Sequence, residues 1–152
     1  MSNICLQTAV TLTGLSLSTL RRRIADGTLK CADNNTASNK TLICFESIKN
    51  DICIPLEPDD IELIKDADAG EPQAQIDLAL LFLEHNKPQH AIYWLESAAR
   101  QCFADAMHLL GSCYLKGNGL LKDNNLALMW IAKAASLGHP LAVAQIQSIR
   151  PG

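Results

Sequence analysis

Apolar positions between Ala69 and Ala142 recur at a fixed spacing. One set recurs 32 positions later: Ala74, Leu78, Ala79 and Phe82 return as Ala106, Leu110, Gly111 and Tyr114. A second set recurs after 36 positions: Ala91, Trp94, Ala98 and Ala99 return as Ala127, Trp130, Ala134 and Ala135. Such a period is typical of a solenoid of stacked units. The pattern predicts helices at about 72–84, 88–101, 104–116, 123–137 and 140–148, three of which begin at a proline.

The first part of the chain has a different pattern. Leu6, Ala9, Val10 and Thr13 lie on one helical stripe, and Gly14 supplies the backbone freedom of a tight turn. Ser16 is a helix cap, and Gly27 ends the helix that it starts. The spacing predicts that Leu17, Leu20 and Ile24 bury one face of this second helix. Its outward face then carries Ser18, Thr19, Arg21 and Arg22, with Arg23 at the edge.

The next stretch predicts a hairpin and then a boundary between domains. Residues 28–31 and 41–44 are two short strands around the polar loop 32–40, and a short helix follows at 45–50. Pro55 and Pro58 disfavour helix before them. The predicted domains are therefore 1–54 and 61–152, with 55–60 as the linker and a helix from Asp59 to Ala69.

Composition narrows the class of protein. The chain has 152 residues, of which 48% are hydrophobic and only 5% aromatic, which favours packed helices over a sandwich. No apolar run is long enough to span a membrane, and the N-terminus does not resemble a signal peptide. We therefore expect a cytoplasmic protein whose six cysteines are reduced thiols. A zinc site made of Cys102, His108 and Cys113 is an alternative, although zinc ligands usually come in close pairs.

Charge is divided unevenly along the chain. Residues 1–56 hold six Lys/Arg and four acids, net +2, whereas residues 57–152 hold seven and twelve, net −5. A basic head on an acidic body indicates two roles. No nucleophile elbow, phosphate loop or HExxH motif is present, so we predict no enzyme, no cofactor and no bound metal. Trp94 and Trp130 occupy equivalent repeat positions, which predicts packing rather than an aromatic platform; the four histidines are assigned surface or capping roles.

The first segment resembles helix-turn-helix domains of the MerR and phage excisionase type. The resemblance rests on Thr8-Ala9, on 13–22 and on 24–29, and covers about residues 4–52. It implies a winged helix-turn-helix whose second helix enters the DNA major groove and whose wing is the loop 32–40. The implied DNA-binding residues are Ser18, Thr19, Arg21, Arg22, Arg23, Lys30 and Lys40. Arg23 stands where related sequences often have an aromatic residue; it either adds a phosphate contact or weakens packing against the wing.

The repeats resemble the Sel1-like family, which is related to tetratricopeptide repeats. The best copy carries Gly117-x-Gly119 before Asp123, then Ala127-x-x-Trp130 and Ala134-Ala135. The first copy lacks the Gly-x-Gly loop and has Ala79 in place of Gly111. Two copies and the start of a third cover about residues 66–147. The fold class is therefore mainly α, with a winged helix-turn-helix followed by an α/α repeat solenoid.

These observations predict a DNA-binding regulator, bacterial by its domain types, whose repeats bind a second protein. Double-stranded DNA and an unidentified protein are the expected partners. A different class of function stays open, a protein–protein adaptor whose head never meets DNA, since a net charge of +2 is small for a nucleic-acid binder. A homodimer sealed through the repeat ends is a third possibility, because short solenoids leave apolar ends to cover.

Overall fold

A computed structural model describes residues 3–30 and 42–149. The chain divides into two compact units, Met1–Ala69 and Gly70–Gly152. The predicted wing, 32–40, and with it Lys40, lies outside the described residues.

The first unit is a small mixed fold around an antiparallel strand pair. In chain order its elements are β1 (Asn3–Cys5), α1 (Leu6–Thr13), α2 (Leu17–Ala25), β2 (Leu42–Cys44), α3 (Phe45–Ile48), a 3₁₀ turn (Lys49–Asp51) and α4 (Pro58–Asp68). β1 pairs with β2 so that Ile4 lies opposite Ile43, and both side chains are fully buried. Alternation along the strands places these two isoleucines in the core.

The strand pairing differs from the predicted hairpin. Residues 28–30 form no strand, although the Lys30 carbonyl accepts a hydrogen bond from the Cys44 N–H at 3.0 Å. The partner of 42–44 is instead the N-terminal segment 3–5, which the sequence analysis left unassigned. Pairing over this separation leaves no local turn signal, which is why the pattern did not indicate it.

Helices α1 and α2 are joined as the sequence predicts. Gly14 adopts a left-handed φ of 74°, and its N–H bonds to the Val10 carbonyl, so the first helix ends there. Ser16 caps α2 by accepting from the Thr19 N–H at 3.1 Å. Leu20 is fully buried. The prediction for Leu17 is wrong: its side chain is 36% exposed, because it lies in the first turn, where α2 has not yet reached the core.

Helix α4 contacts the start of α1 through Asp68, the last residue of α4. Asp68 Oδ1 accepts a hydrogen bond from the Cys5 N–H at 3.0 Å and from the Thr8 hydroxyl at 2.6 Å. The carboxylate therefore caps the start of α1 from outside, where a negative charge suits the helix dipole. Ile64 and Ala67 are buried on the same helix. The predicted boundaries, with a repeat domain beginning at residue 61, stay predictions; the contacts of α4 lie in the first unit.

The second unit consists of five helices packed in chain order. They are α5 (Pro72–Glu84), α6 (Pro88–Arg100), α7 (Ala104–Lys116), α8 (Asn124–Ser136) and α9 (Pro140–Ile149). Their bounds confirm the predicted helices to within one residue. Each helix packs on the next. Most of the periodic residues line this core, and Trp94, Leu78 and Leu110 are almost wholly buried.

Two glycines allow the close approaches between these helices. A Cβ on Gly111 would lie 2.7 Å from Ile131 Cγ1, so the absence of a side chain lets α7 meet α8. Gly119 has a φ of 85°, and a Cβ there would lie 2.6 Å from the Pro88 carbonyl oxygen. The loop before α8 therefore sits directly against the start of α6.

Candidate functional site

Part of the face of α2 that was assigned to DNA is open to solvent. Its exposed members, with the neighbouring lysine, are Ser18, Arg21, Arg22 and Lys30. Thr19 is half-buried, and its hydroxyl lies 2.9 Å from Ser16 Oγ. The two arginines project from a capped helix, so the backbone that carries them is held in place.

Arg23 is held within the first unit. Its Nη1 donates to Asp51 Oδ2 at 3.1 Å. Neither reading of Arg23 from the sequence anticipated this ion pair, because Asp51 is 28 residues away. Breaking a surface pair of this kind costs less than about 1 kcal/mol. Within the residues that the structure describes, Arg21 and Arg22 of α2 form no such ion pair.

The charges around α2 are mixed. The Thr28 hydroxyl and N–H both donate to Asp26, which lowers the pKa of that carboxyl; Arg22 and Arg23 lower it further. Asp26 thus stays anionic at the end of the arginine helix. With α4 included, residues 1–69 hold seven Lys/Arg and ten acids, net −3, compared with +2 over residues 1–56. The positive potential of the helix is therefore local.

One face of α8 exposes large apolar side chains. The α8 face, as we use the term, consists of Leu126, Met129, Trp130, Lys133 and Leu137 at or just beyond the helix. Positions separated by three, four and seven residues share one side of a helix. Leu126 is 36% exposed, Met129 37% and Leu137 52%. Trp130 is half-buried, and the Lys133 Nζ lies 5.0 Å from the centroid of its ring.

The first repeat has a different surface at the same positions. Counting back 36 residues, the equivalents of the α8 face are His90, Tyr93, Trp94, Ser97 and Gln101. Trp94 is only 2% exposed, and Gln101 donates to Gln75 Oε1 at 3.0 Å. The predicted packing role therefore holds for Trp94, whereas Trp130 is half-exposed. The sequence analysis missed the α8 face. The signal was the replacement of His, Tyr and Gln by Leu, Met and Leu between two copies of one unit.

A shallow groove lies on the other side of α8. Its volume is about 360 Å³, and its lining includes Leu115, Leu128, Ile131 and Ile149 together with the uncharged polar groups of Asn124, Gln145 and Ser148. None of the described residues that line this groove is charged, so nothing in that lining selects one kind of occupant.

A cluster of polar side chains connects α7 to α9. His139 Nδ1 accepts the Ala142 N–H at 3.2 Å, and its Nε2 lies 2.9 Å from Asp105 Oδ1. This tautomer places the proton on Nε2, facing the carboxylate. The predicted capping role is confirmed for His139, since the bond to Ala142 caps α9. His108 stacks on His139 at 4.5 Å, and its Nε2 bonds to Gln145.

The part of the chain that the structure describes has no arrangement of side chains that fits the alternative of a zinc site. No three His, Cys, Asp or Glu side chains converge there in a way that could hold a metal ion. The Nε2 of His108 instead forms a hydrogen bond with Gln145 Oε1. Within the same residues, none of the helices has both the length and the apolar content needed to cross a lipid bilayer.

The five stacked helices and their internal copies define an α/α repeat solenoid. The family model of the Sel1 repeat matches residues 72–101 and 104–139, the two copies recognised from spacing. The crystal structure of a Sel1 repeat protein from Oxalobacter formigenes is 33% identical to this chain, with a TM-score of 0.52 over 57% of this chain and 68% of that one. The chain therefore belongs to the Sel1 repeat proteins.

Similarity extends to one longer curated protein. Wolframin of Drosophila melanogaster is 38% identical over an alignment of 68 positions, and this alignment covers 38% of this chain. The chain spans only 8% of the length of that relative. The residues that the Sel1 model matches lie in the second unit, so the winged helix-turn-helix identity of the first unit rests on the sequence resemblance alone.

Proposed function

We propose that this chain is a protein-interaction protein, without enzymatic activity, whose Sel1 repeats bind another protein through the α8 face. One observation carries the proposal: Leu126, Met129 and Leu137 are exposed on a single side of α8, where the first repeat has polar residues. Clusters of exposed apolar side chains mark interaction surfaces more often than scattered ones do. Sel1 repeats support the same function, because solenoids present extended binding surfaces.

The energy available from this face suits a specific complex. Full burial of a Leu or Met side chain contributes about 1.5–3 kcal/mol. Leu126 is 36% exposed, Met129 37% and Leu137 52%, so a partner that completes their burial gains roughly 1 kcal/mol from each. Trp130 lies among them, and tryptophan is one of the residues that most often dominate interface energies.

Affinity capture with the full-length chain tests this function. The wild-type chain, a Met129→Ser/Leu137→Ser variant and a Leu80→Ser control are used to capture partners from cells of the source organism. Leu80 is a matched control, since it is 44% exposed on α5 and lies outside the α8 face. We expect a partner that the wild type and the control retain and the double variant loses, with its direct binding confirmed by calorimetry on purified proteins. A partner retained equally by all three chains would refute the assignment to α8.

A second candidate function is DNA binding by the first unit, as a bacterial, cytoplasmic regulator with a winged helix-turn-helix. Arg21 and Arg22 favour it, because both are exposed on a helix capped by Ser16, and Lys30 is exposed nearby in the sequence. The net charge of −3 over residues 1–69 opposes it and supports the adaptor function instead. A few phosphate contacts give a small salt dependence, about one unit of log–log slope for each phosphate.

Duplex binding over a salt series separates the DNA reader from the adaptor. The compared proteins are the full-length wild type, Arg21→Ala/Arg22→Ala and the control Lys49→Ala, whose lysine is exposed in the 3₁₀ turn. A DNA reader shows a slope of about −2 to −3 that shrinks by about two units in the double variant alone. If the wild-type chain does not bind duplex DNA at low salt, the adaptor function is favoured over DNA binding. Light scattering on the same samples shows whether the chain is a homodimer.

A further inference from the structure

Two lysines indicate what kind of segment the α8 face binds, and this inference rests on the function proposed above. Lys133 is part of the α8 face, and Lys122 is exposed in the loop that leads into α8. We propose that the partner presents an acidic amphipathic helix of about three turns, whose apolar side packs on the α8 face and whose carboxylates pair with Lys133 and Lys122. The α8 face runs over twelve residues, from Leu126 to Leu137, and so extends about 16 Å at a rise of 1.5 Å per residue. Apolar side chains at spacings of three and four residues on a partner helix match this length.

The charge of this region is one-sided. Residues 106–149 contain three lysines, Lys116, Lys122 and Lys133, and a single carboxylate, Asp123. Asp123 Oδ1 is already engaged, since it accepts from the N–H groups of Asn125 and Leu126 at 3.0 Å each and caps α8. The three lysines therefore have no carboxylate in this part of the sequence that is free to neutralise them. A partner that brings acidic side chains meets complementary charge, whereas a basic partner is repelled.

Lys133 joins the apolar and charged parts of the surface. Its Nζ lies 5.0 Å from the centroid of the Trp130 ring, so the ammonium sits over the apolar stripe. A carboxylate that approaches along the stripe meets the ammonium at the same place where its neighbouring apolar side chain meets Trp130. This arrangement selects for acidic and apolar residues on adjacent turns of one helix.

Two other occupants fit less well. A two-fold dimer would pair the α8 face with itself, and this face supplies a lysine but no carboxylate to neutralise it. An anionic membrane attracts clusters of about four to eight basic residues, and only three lysines lie in this region. Charge therefore favours an acidic protein segment.

Selection from a displayed library of random helical peptides tests the partner chemistry. Full-length chain is the target, and enriched peptides are then measured by fluorescence polarisation against the wild type and three variants. Lys122→Glu/Lys133→Glu reverses the charge at these two lysines, and Met129→Ser weakens the apolar stripe. Lys65→Glu is the control on α4. Circular dichroism and thermal melting confirm that each variant is folded. We expect enriched peptides with net negative charge, bound at least about tenfold more weakly by the charge-reversal variant and by Met129→Ser, with little change for the control.

Each other outcome has one meaning. Enriched peptides that are neutral or basic, and that depend on Met129 but not on the lysines, overturn the acidic partner and leave the α8 face as a protein-binding surface. Enriched peptides that are insensitive to Met129→Ser, or no enriched peptides at all, overturn both. Stronger binding to phosphatidylserine vesicles than to any peptide, or a dimer that Met129→Ser dissociates, assigns the face to a membrane or to a second copy and overturns the proposal.

Discussion

Gly111 of α7 packs directly against Ile131 of α8, so the two helices of the second repeat meet where α7 has no side chain. A Cβ on Gly111 would lie 2.7 Å from Ile131 Cγ1 and 3.1 Å from the Ala127 carbonyl oxygen. We predict that Gly111→Ala lowers the free energy of unfolding by about 1–3 kcal/mol, because overpacking outweighs the better helix propensity of alanine. Chemical denaturation measures the change. Ser112→Ala, one residue further along the helix and half-buried, is the control, and an equal effect of the two substitutions would contradict the account.

Gly119 and Gly138 form a matched pair for the loop geometry. Both have positive φ, 85° and 87°, but a Cβ on Gly119 would lie 2.6 Å from the Pro88 carbonyl oxygen, whereas one on Gly138 would meet nothing within 4 Å. We predict that Gly138→Ala costs about 1 kcal/mol of stability for its backbone conformation alone. Gly119→Ala should cost about 2 kcal/mol more, because its Cβ would also clash with the backbone. Denaturation midpoints that rank the two in the opposite order would be inconsistent with this loop.

The features of the repeat unit that could be predicted are those set by residues adjacent in the sequence. Pro72 and Pro88 begin their helices, and Gly117 ends α7 in a left-handed conformation, so the helix bounds follow from residues beside them. The α8 face did not follow in that way. Leu126, Met129 and Trp130 have the residue types and spacing of a buried stripe. Only the three-dimensional neighbours of α8 decide that Leu126 and Met129 are exposed and that Trp130 is half-buried.

The first unit was less predictable, for the same physical reason. Ser16 and Gly14 carry local capping signals, so the turn between α1 and α2 was foreseen. Asp51 and Asp68 act on residues 28 and more positions away, so neither the Arg23 ion pair nor the outside cap of α1 left a pattern in the sequence.

Asp68 supports the first unit through two hydrogen bonds to the start of α1. We predict that Asp68→Ala lowers the unfolding free energy of this unit by about 1–3 kcal/mol, because the Cys5 N–H and the Thr8 hydroxyl both lose their carboxylate acceptor. Asp66→Ala is the matched control, since Asp66 is exposed on the same helix. Hydrogen exchange at the amide of Cys5 should speed up in the first variant only. Unchanged exchange there would argue against the cap.

We predict that the buried thiol of Cys113 makes the free energy of unfolding of the repeat unit fall at alkaline pH. Burial on α7 raises the pKa of its thiol above the ordinary value of 9.0, with Lys116 opposing the shift slightly. Because its pKa is raised, the thiol binds its proton more tightly in the folded chain than in the unfolded chain. The free energy of unfolding is therefore unaffected below the pKa of the thiol in the unfolded chain, and it falls as the pH rises above about 9. Cys113→Ala should flatten this part of the stability profile.

Thiol reactivity gives an independent reading of the same group. Cys102 is exposed whereas Cys113 is buried, so at pH 8 a small alkylating reagent should modify Cys102 first in the folded chain. Mass spectrometry of the digested product distinguishes the two sites. Equal labelling rates for both thiols would mean that Cys113 is not protected.

The central claim is that the α8 face binds the protein partner of these repeats. Its most direct measurement is the calorimetric dissociation constant of the purified partner for the wild-type chain and for Met129→Ser/Leu137→Ser, both confirmed to be folded by circular dichroism. Loss of roughly 2 kcal/mol of apolar burial weakens the complex by about thirtyfold. Dissociation constants that agree within error for the two chains would show that the partner binds elsewhere.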